Sequence, residues 1–143
     1  MDQINFFYED TAFELPHKEI IASWVAHTIT SENFELSEIN YIFCSDEYLH
    51  QINVDYLQHD YYTDIITFDN SEKEGVVESD IFVSIERVQD NAEDQGIPFE
   101  TELRRVIIHG VLHLVGYKDK TDVEQTEMRE KENAYLSLPQ FQA

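Results

Sequence analysis

Two periods of apolar residues run through this chain, and the change from one to the other divides it into elements. INFFY, Ile4 to Tyr8, is rich in β-formers and predicts a short first strand. From about Pro16 to Ile29 the apolar positions Ile20, Ile21, Trp24, Val25 and Ile29 recur at helical spacing. Ile39 to Cys44 predicts a second strand, after which Ser45 or Asp46 caps a helix running to about Tyr56. A polar, aromatic loop, LQHDYYTD, follows. Asp64 to Phe68 and Asp80 to Ile85 are β-branched strands on either side of the acidic loop DNSEKEGVVES. Glu86 to Gln95 is helical and stops at Gly96, a suitable C-cap.

Pro98 then opens a helix with Leu103, Val106, Ile107, Val111, Leu112, Leu114 and Val115 around most of its circumference. A helix apolar nearly all round is a buried, central one. Gly116 ends it, a last amphipathic helix spans about Val123 to Leu136, and the tail SLPQFQA is predicted loose. Four strands and about five helices, interleaved at first and helical at the end, specify an α/β or α+β fold: a single mixed sheet packed with helices.

Composition narrows the class. The 143 residues fit one domain with its own core, and 42% hydrophobic content excludes a disordered chain. The lone Cys44, in the apolar run YIFCS, predicts a small buried hydrophobe in a reducing compartment. MDQINFFYED lacks the basic start of a secretory signal, and no apolar run approaches the ~20 residues that span a bilayer. A soluble cytoplasmic protein without a membrane partner is expected. The net charge of −21 repels nucleic acid as a whole-molecule average, but it is unevenly spread. Six of the nine cations lie between residues 104 and 131 beside five acids, so this window is +1 and the remainder −22. Pairing of those cations with acids on solvated helices accounts for the window without invoking a polyanionic ligand.

The chemistry sits in HGVLHLVGYKD, residues 109–119. His109 and His113, four apart on a helix, put both imidazoles on one face. Each alone could be a satisfied core histidine. Two at this spacing, followed by Gly116 and a polar turn, fit a metal better. A helix that ends at Gly116 lets the chain double back and bring Asp119 to the same face, completing a His-His-Asp set. Two histidines and one carboxylate are an accepted catalytic zinc set with a fourth position open. The alternative for Asp119 is a solvated turn acid between Lys118 and Lys120. In the H-E-x-x-H peptidase motif the Glu is the general base; here Gly110 takes its place.

HGVLHLVGYKD closely resembles the H-G-x-L-H-L-x-G-Y-D-H signature of the YbeY family of bacterial endoribonucleases and rRNA maturation factors. NVDYLQHDYYTDIITF, residues 53–68, resembles the family's L-N-x-x-Y-R-x-x-D-x-P-T-D-V-L-S-F, and SDIFVS its G-D-I-x-I-S. Met128 and Glu132 on the last helix match as well, so the resemblance covers most of the chain. It implies one metallohydrolase domain over residues 1–143, with the metal helix at its centre. The implied activity is a metal-dependent, single-strand-specific endoribonuclease. The implied role is 3′-end maturation of small-subunit rRNA and ribosome quality control, with the small subunit and its proteins as partners. His109 and His113 carry over as ligands, and Asp119 stands where the family has a third His. Leu57 replaces a family Arg credited with contacting RNA, and Leu cannot clamp a phosphate. His59, two residues on, is a candidate RNA contact or an ordinary loop residue. Ser79 replaces a family Gly. Asp64, after Thr63, is a candidate acceptor for a ligating imidazole or, equally, a turn cap; Asp80 and Ser84 lean structural.

Three readings follow. The first is a zinc-dependent endoribonuclease. The second, motivated by Leu57 and the acidic surface, is a non-catalytic ribosome assembly factor with a structural metal that binds basic ribosomal proteins. A metallopeptidase ranks last because Gly110 replaces the base.

Overall fold

The computed structural model describes residues 3–142. Met1, Asp2 and Ala143, the ends of the N-terminal stretch and tail discussed above, lie outside the described residues. The rest form a four-stranded sheet and five α-helices in the order β1 (Ile4–Glu9), α1 (Lys18–Ser31), β2 (Glu35–Cys44), α2 (Asp46–Leu57), β3 (Ile65–Asp69), β4 (Val76–Ser84), α3 (Ile85–Gln95), α4 (Phe99–Leu114) and α5 (Asp122–Leu136). The sheet is mixed, as the pattern predicts. Its order is β1-β2-β4-β3, with β1 and β4 parallel to β2 and β3 antiparallel to β4 at the edge.

Alternation along the strands decides what each face meets. Ile39, Tyr41 and Phe43 of β2 and Val77, Ile81 and Val83 of β4 are buried in the main core. Ile21, Trp24, Val25 and Ile29 of α1 and the apolar stripe of α4 join them there. Residues of the opposite parity, Asn40 and Asp80, form a polar row in which Asn40 Nδ2 donates to Asp80 Oδ1 over 3.0 Å. On that second face α2 covers Cys44, Ile66 and Phe82 with Leu49. Helix starts use local oxygens. Ser45 Oγ accepts from the Tyr48 amide, Ser84 Oγ from the Arg87 amide, and Thr121 forms a capping box with Glu124.

The structure corrects two strand starts and the reading of the tail. β2 begins at Glu35 rather than Ile39, and β4 begins at Val76, inside the predicted acidic loop. The two extensions pair with each other, Glu35 with Val76 and Leu36 with Val77, so the acids Glu35 and Glu78 lie on strands. Buried Val77 supplies the reason, since its apolar neighbours outweigh the exposed carboxylates beside it. The tail is not loose. Pro139–Phe141 forms a 3-10 turn, the Phe141 carbonyl accepts from Arg104 Nη1 at 2.8 Å, and its ring lies 5.3 Å from that of His27. No helix among the described residues is long and apolar enough to cross a membrane.

Cys44 is fully buried, its thiol facing the Val83 carbonyl at 3.5 Å. Burial, with the nearby carboxylates of Asp46, Glu9 and Asp10, pushes the thiol up to about 12. Only the thiolate reacts with disulfide reagents. The native chain is therefore expected to titrate no thiol, and one per chain after unfolding in denaturant. Full reaction of the native protein would contradict this burial.

Candidate metal centre

α4 carries His109 and His113 one turn apart, their rings edge to face with centroids 4.6 Å apart. The helix ends at Leu114, and Gly116 takes a φ of 105°, a left-handed turn that L side chains rarely adopt. The turn is then pinned from outside. Tyr117 donates its hydroxyl to Glu32 Oε1 at 2.8 Å, and Tyr135 of α5 donates to the other oxygen of the same carboxylate. The chain therefore doubles back, and Asp119 Oδ2 lies 3.3 Å from His109 Nε2 and 3.3 Å from His113 Nε2.

All three ligand atoms fall within 4.8 Å of one another, as no other three histidines, cysteines or acids do among the described residues. A tetrahedral ion with bonds of about 2.0–2.1 Å keeps its ligand atoms roughly 3.3–3.4 Å apart. Both Asp119 distances match that edge. The set fits a zinc-sized ion without rearrangement of the two contacts.

Glu132 completes the arrangement from α5. His109 Nδ1 donates to Glu132 Oε2 at 2.7 Å, which places the imidazole proton on Nδ1 and leaves the Nε2 lone pair facing Asp119 and His113. The other oxygen, Oε1, accepts from Arg105 Nη1 at 3.0 Å, and Arg129 Nη1 is 3.6 Å away. Burial alone would push the Glu132 carboxyl up; the hydrogen bonds from His109 and Arg105 outweigh it and hold the group below its ordinary value. Burial likewise pushes His109 down, but Glu132, with Asp119 and Asp64 behind it, raises the imidazole overall.

Asp64 was the sequence candidate for the acceptor on the ligating imidazole. It lines the same cavity as the three ligands, with burial raising its carboxyl against the opposing charge of His109. Its Oδ2 accepts from Asn91 Nδ2 at 3.4 Å, whereas the Nδ1 proton of His109 goes to Glu132. Sequence reasoning noticed Glu132 only as part of a matching pattern and gave it no role. The usable signal was an acid four residues after an apolar Met128 on an amphipathic helix, a position that faces inward. Asp80 and Ser84, both on β4, have structural roles: Asp80 accepts from Asn40 Nδ2, and Ser84 caps α3. His59 is not among the residues lining the metal cavity or the adjoining cleft; its ring stacks on Tyr61, centroids 5.2 Å apart.

The cavity over the ligands holds about 280 Å³ and is floored by Thr63, Asp64, Thr67 and Gly110. It shares His109, Asp64 and Asp119 with a larger cleft of about 750 Å³ along α4 and α5, lined by Glu102, Arg105, Arg129 and Glu132. Gly110 is there for a packing reason. A Cβ on it would stand 2.9 Å from Ile65 Cδ1 and 3.1 Å from Thr67 Cγ2, so α4 rests on β3 with little room for a side chain. The site can therefore hold a divalent ion on two imidazoles and a carboxylate, at the foot of an open cleft, with no side chain at the position of the peptidase base.

Comparison with known proteins agrees with this geometry. The family model described as endoribonuclease YbeY matches residues 3–139. The endoribonuclease YbeY of Cytophaga hutchinsonii is 55% identical over 140 residues, covering 98% of each chain. Those of Amoebophilus asiaticus and Flavobacterium johnsoniae are each 51% identical, over 93% and 94% of this chain and 90% and 96% of their own. The solution structure of TM1509 from Thermotoga maritima superposes with a TM-score of 0.64 at 26% identity, covering 96% of each chain. A family model that matches residues 3–139, half-identical relatives along nearly the whole length and a fold that gathers a His-His-Asp cluster lead to one conclusion: the chain belongs to the YbeY endoribonuclease family.

Proposed function

We propose that this protein hydrolyses phosphodiester bonds of single-stranded RNA in a metal-dependent reaction. We assign it to small-subunit rRNA 3′-end maturation and ribosome quality control in the cytoplasm, alongside the small subunit and its proteins. The observation that carries the hydrolytic reading is the convergence of His109 Nε2, His113 Nε2 and Asp119 Oδ2 at one cavity. These three side chains would hold one zinc ion. What such an ion supplies is Lewis acidity towards a phosphoryl oxygen and a water molecule.

The chain's own residues do the rest. Glu132 keeps the proton of His109 on Nδ1 and fixes the ring against rotation. Arg105 donates to the other oxygen of that carboxylate and Arg129 lies beside it, which keeps Glu132 ionised as the acceptor for His109. Asp64 stands as the second carboxylate beside the ligands, and the 280 Å³ cavity adjoins the larger cleft, with which it shares Asp64, His109 and Asp119. The family Arg is Leu57 here, half-exposed at the end of α2, so no guanidinium approaches from that helix.

Leu57 and the −21 charge also favour a second reading, in which the metal is structural and the protein assists assembly by binding basic ribosomal proteins. One experiment separates the two. Elemental analysis of wild type and Asp119→Ala, purified side by side, is expected to give one zinc per wild-type chain. The variant should lose more than the ~10–100-fold in affinity typical of an outer-shell partner. Cleavage of single-stranded RNA should then vanish on chelation and in Asp119→Ala. Chelator-insensitive cleavage overturns the proposal. A zinc-loaded wild type that co-sediments with small subunits but leaves RNA intact establishes the assembly factor instead.

A further inference from the structure

We infer that Tyr56 and Tyr61, the latter backed by His59, form a base-stacking platform that presents single-stranded RNA to the metal cavity. This rests on the ribonuclease reading and names how that substrate is held. Large hydrophobic side chains are exposed at six positions among the described residues, and four of them, Tyr56, Leu57, Tyr61 and Tyr62, fall within one seven-residue segment. Tyr56 is 69% exposed and Tyr61 54%. Aromatic rings are normally consumed in cores, so this concentration on one segment needs a reason.

The segment is built, not slack. Asn53, buried on α2, donates from Nδ2 to the Tyr61 carbonyl at 2.9 Å, and its own carbonyl accepts from the His59 amide at 3.1 Å. Gln58 turns the chain with a φ of 57°. Tyr62 is spent internally: its hydroxyl donates to Glu47 at 2.6 Å, its ring stacks on His50 at 4.3 Å, and Arg87 lies 5.5 Å from its centroid. Tyr61 is braced on one side by His59, with rings 19° from parallel and the hydroxyl 3.0 Å from Nδ1. Tyr56 meets Phe68 edge to face at 6.2 Å, a contact that uses little of its ring. Two rings are thus held in place and left open.

Their position ties them to the chemistry. Tyr61 precedes Thr63, which lines the metal cavity, by two residues, at most about 7 Å of chain. Stacking also suits this protein better than phosphate clamping. A −21 chain with Leu57 in place of Arg repels the backbone, whereas a base offers an uncharged π-face worth about 1–3 kcal/mol on an aromatic ring. Within residues 56–62 the one acid, Asp60, is engaged by His50 Nε2 at 2.8 Å. A duplex keeps its bases stacked and cannot use such a platform, which makes the surface selective for single strands.

The test is fluorescence anisotropy of a labelled oligouridylate with non-hydrolysable linkages, titrated with metal-loaded wild type, Tyr61→Ala, Tyr56→Ala and Tyr61→Phe. Zinc content and thermal melts run as controls for folding. Each alanine variant is expected to bind about 5- to 150-fold more weakly at unchanged zinc content. Tyr61→Phe should bind as wild type does, and an abasic oligomer of the same length should be insensitive to all three changes. The slope of log affinity against log salt should be shallow, because few phosphates are neutralised. Unchanged binding by both alanine variants, or equal affinity for the abasic oligomer, overturns the platform. If wild type still cleaves RNA in that case, the ribonuclease reading stands without it. If metal-loaded wild type neither binds nor cleaves single strands, both fall. Loss of binding to a basic ribosomal protein in the tyrosine variants, with RNA binding unaffected, reassigns the surface to a protein partner and also overturns it.

Discussion

Glu132→Ala is expected to lower metal affinity by about 10- to 100-fold while leaving all three ligands in place. Two hydrogen bonds and one ion pair are lost with one side chain. His109 loses the acceptor for its Nδ1 proton at 2.7 Å, so the ring is free to rotate and to place its proton on Nε2, where it blocks coordination. Arg105 loses the partner of Nη1 at 3.0 Å, in a side chain whose Nε is buried without a hydrogen bond among the described residues. Arg129 loses a weaker neighbour at 3.6 Å. Leaving Arg105 unpaired in a largely buried position costs about 1–3 kcal/mol of stability. Glu132→Gln separates the two effects. Its amide oxygen can still accept from Nδ1, so metal affinity should recover most of the loss, while Arg105 faces a neutral partner and stability stays reduced. Competition titration against a chromophoric chelator reads the affinity, and nitrogen NMR of the metal-free protein reads the tautomer. An alanine variant with wild-type affinity and His109 still protonated on Nδ1 would show that Glu132 serves packing alone.

The His-His-Asp cluster was legible in sequence and the hydrogen bond of Glu132 to it was not, for a physical reason. His109, His113 and Asp119 lie within eleven residues, where helical spacing and one glycine turn determine which atoms can meet. Glu132 arrives from another helix, 23 residues after His109, as one of 30 acids with no local feature that marks it. Asp64, singled out by the family-like motif around Thr63 and left open between imidazole acceptor and turn cap, lies in the cavity, while the hydrogen bond goes to the other acid. The strand errors share this cause. Glu35, Glu38 and Glu78 obscure the apolar alternation of β2 and β4 locally, and only the pairing of the two strands, with a register shift between Leu36 and Glu38, shows that they continue. The tail was read as loose because Phe141 finds its partners, His27 and Arg104, far away in sequence. The overall mixed sheet survived these errors because the cores of the strands and the 16-residue α4 carry strong local periodicity.

Gly110 was read as the absence of a peptidase base, and the structure gives the position a reason of its own that makes a sharp prediction. Restoring the motif with Gly110→Glu is expected to create no peptidase and to destabilise the fold by about 3 kcal/mol, the upper end of overpacking costs. The residue is buried where α4 crosses β3, and a bare Cβ already meets Ile65 Cδ1 at 2.9 Å and Thr67 Cγ2 at 3.1 Å. The Ile65 contact is the far end of a flexible side chain and can move; Thr67, branched at Cβ, cannot retreat as easily. Gly110→Ala is therefore close to balance, with up to about 1 kcal/mol gained in helix propensity against about 1–3 kcal/mol of overpacking. Glutamate adds two methylene carbons and a carboxylate that must pass between Ile65, Thr67 and Ile81 Cδ1 to reach the cavity that Gly110 lines. The cheapest relief is to lift α4 off β3, and that moves His109 and His113 away from Asp119. Thermal denaturation and metal content should fall together in Gly110→Glu, while Gly110→Ala keeps its metal and shifts only slightly in stability. A glutamate variant that melts with wild type and retains its ion would show that the helix has room to spare, and that glycine at this position answers to something other than the close approach of α4 to β3.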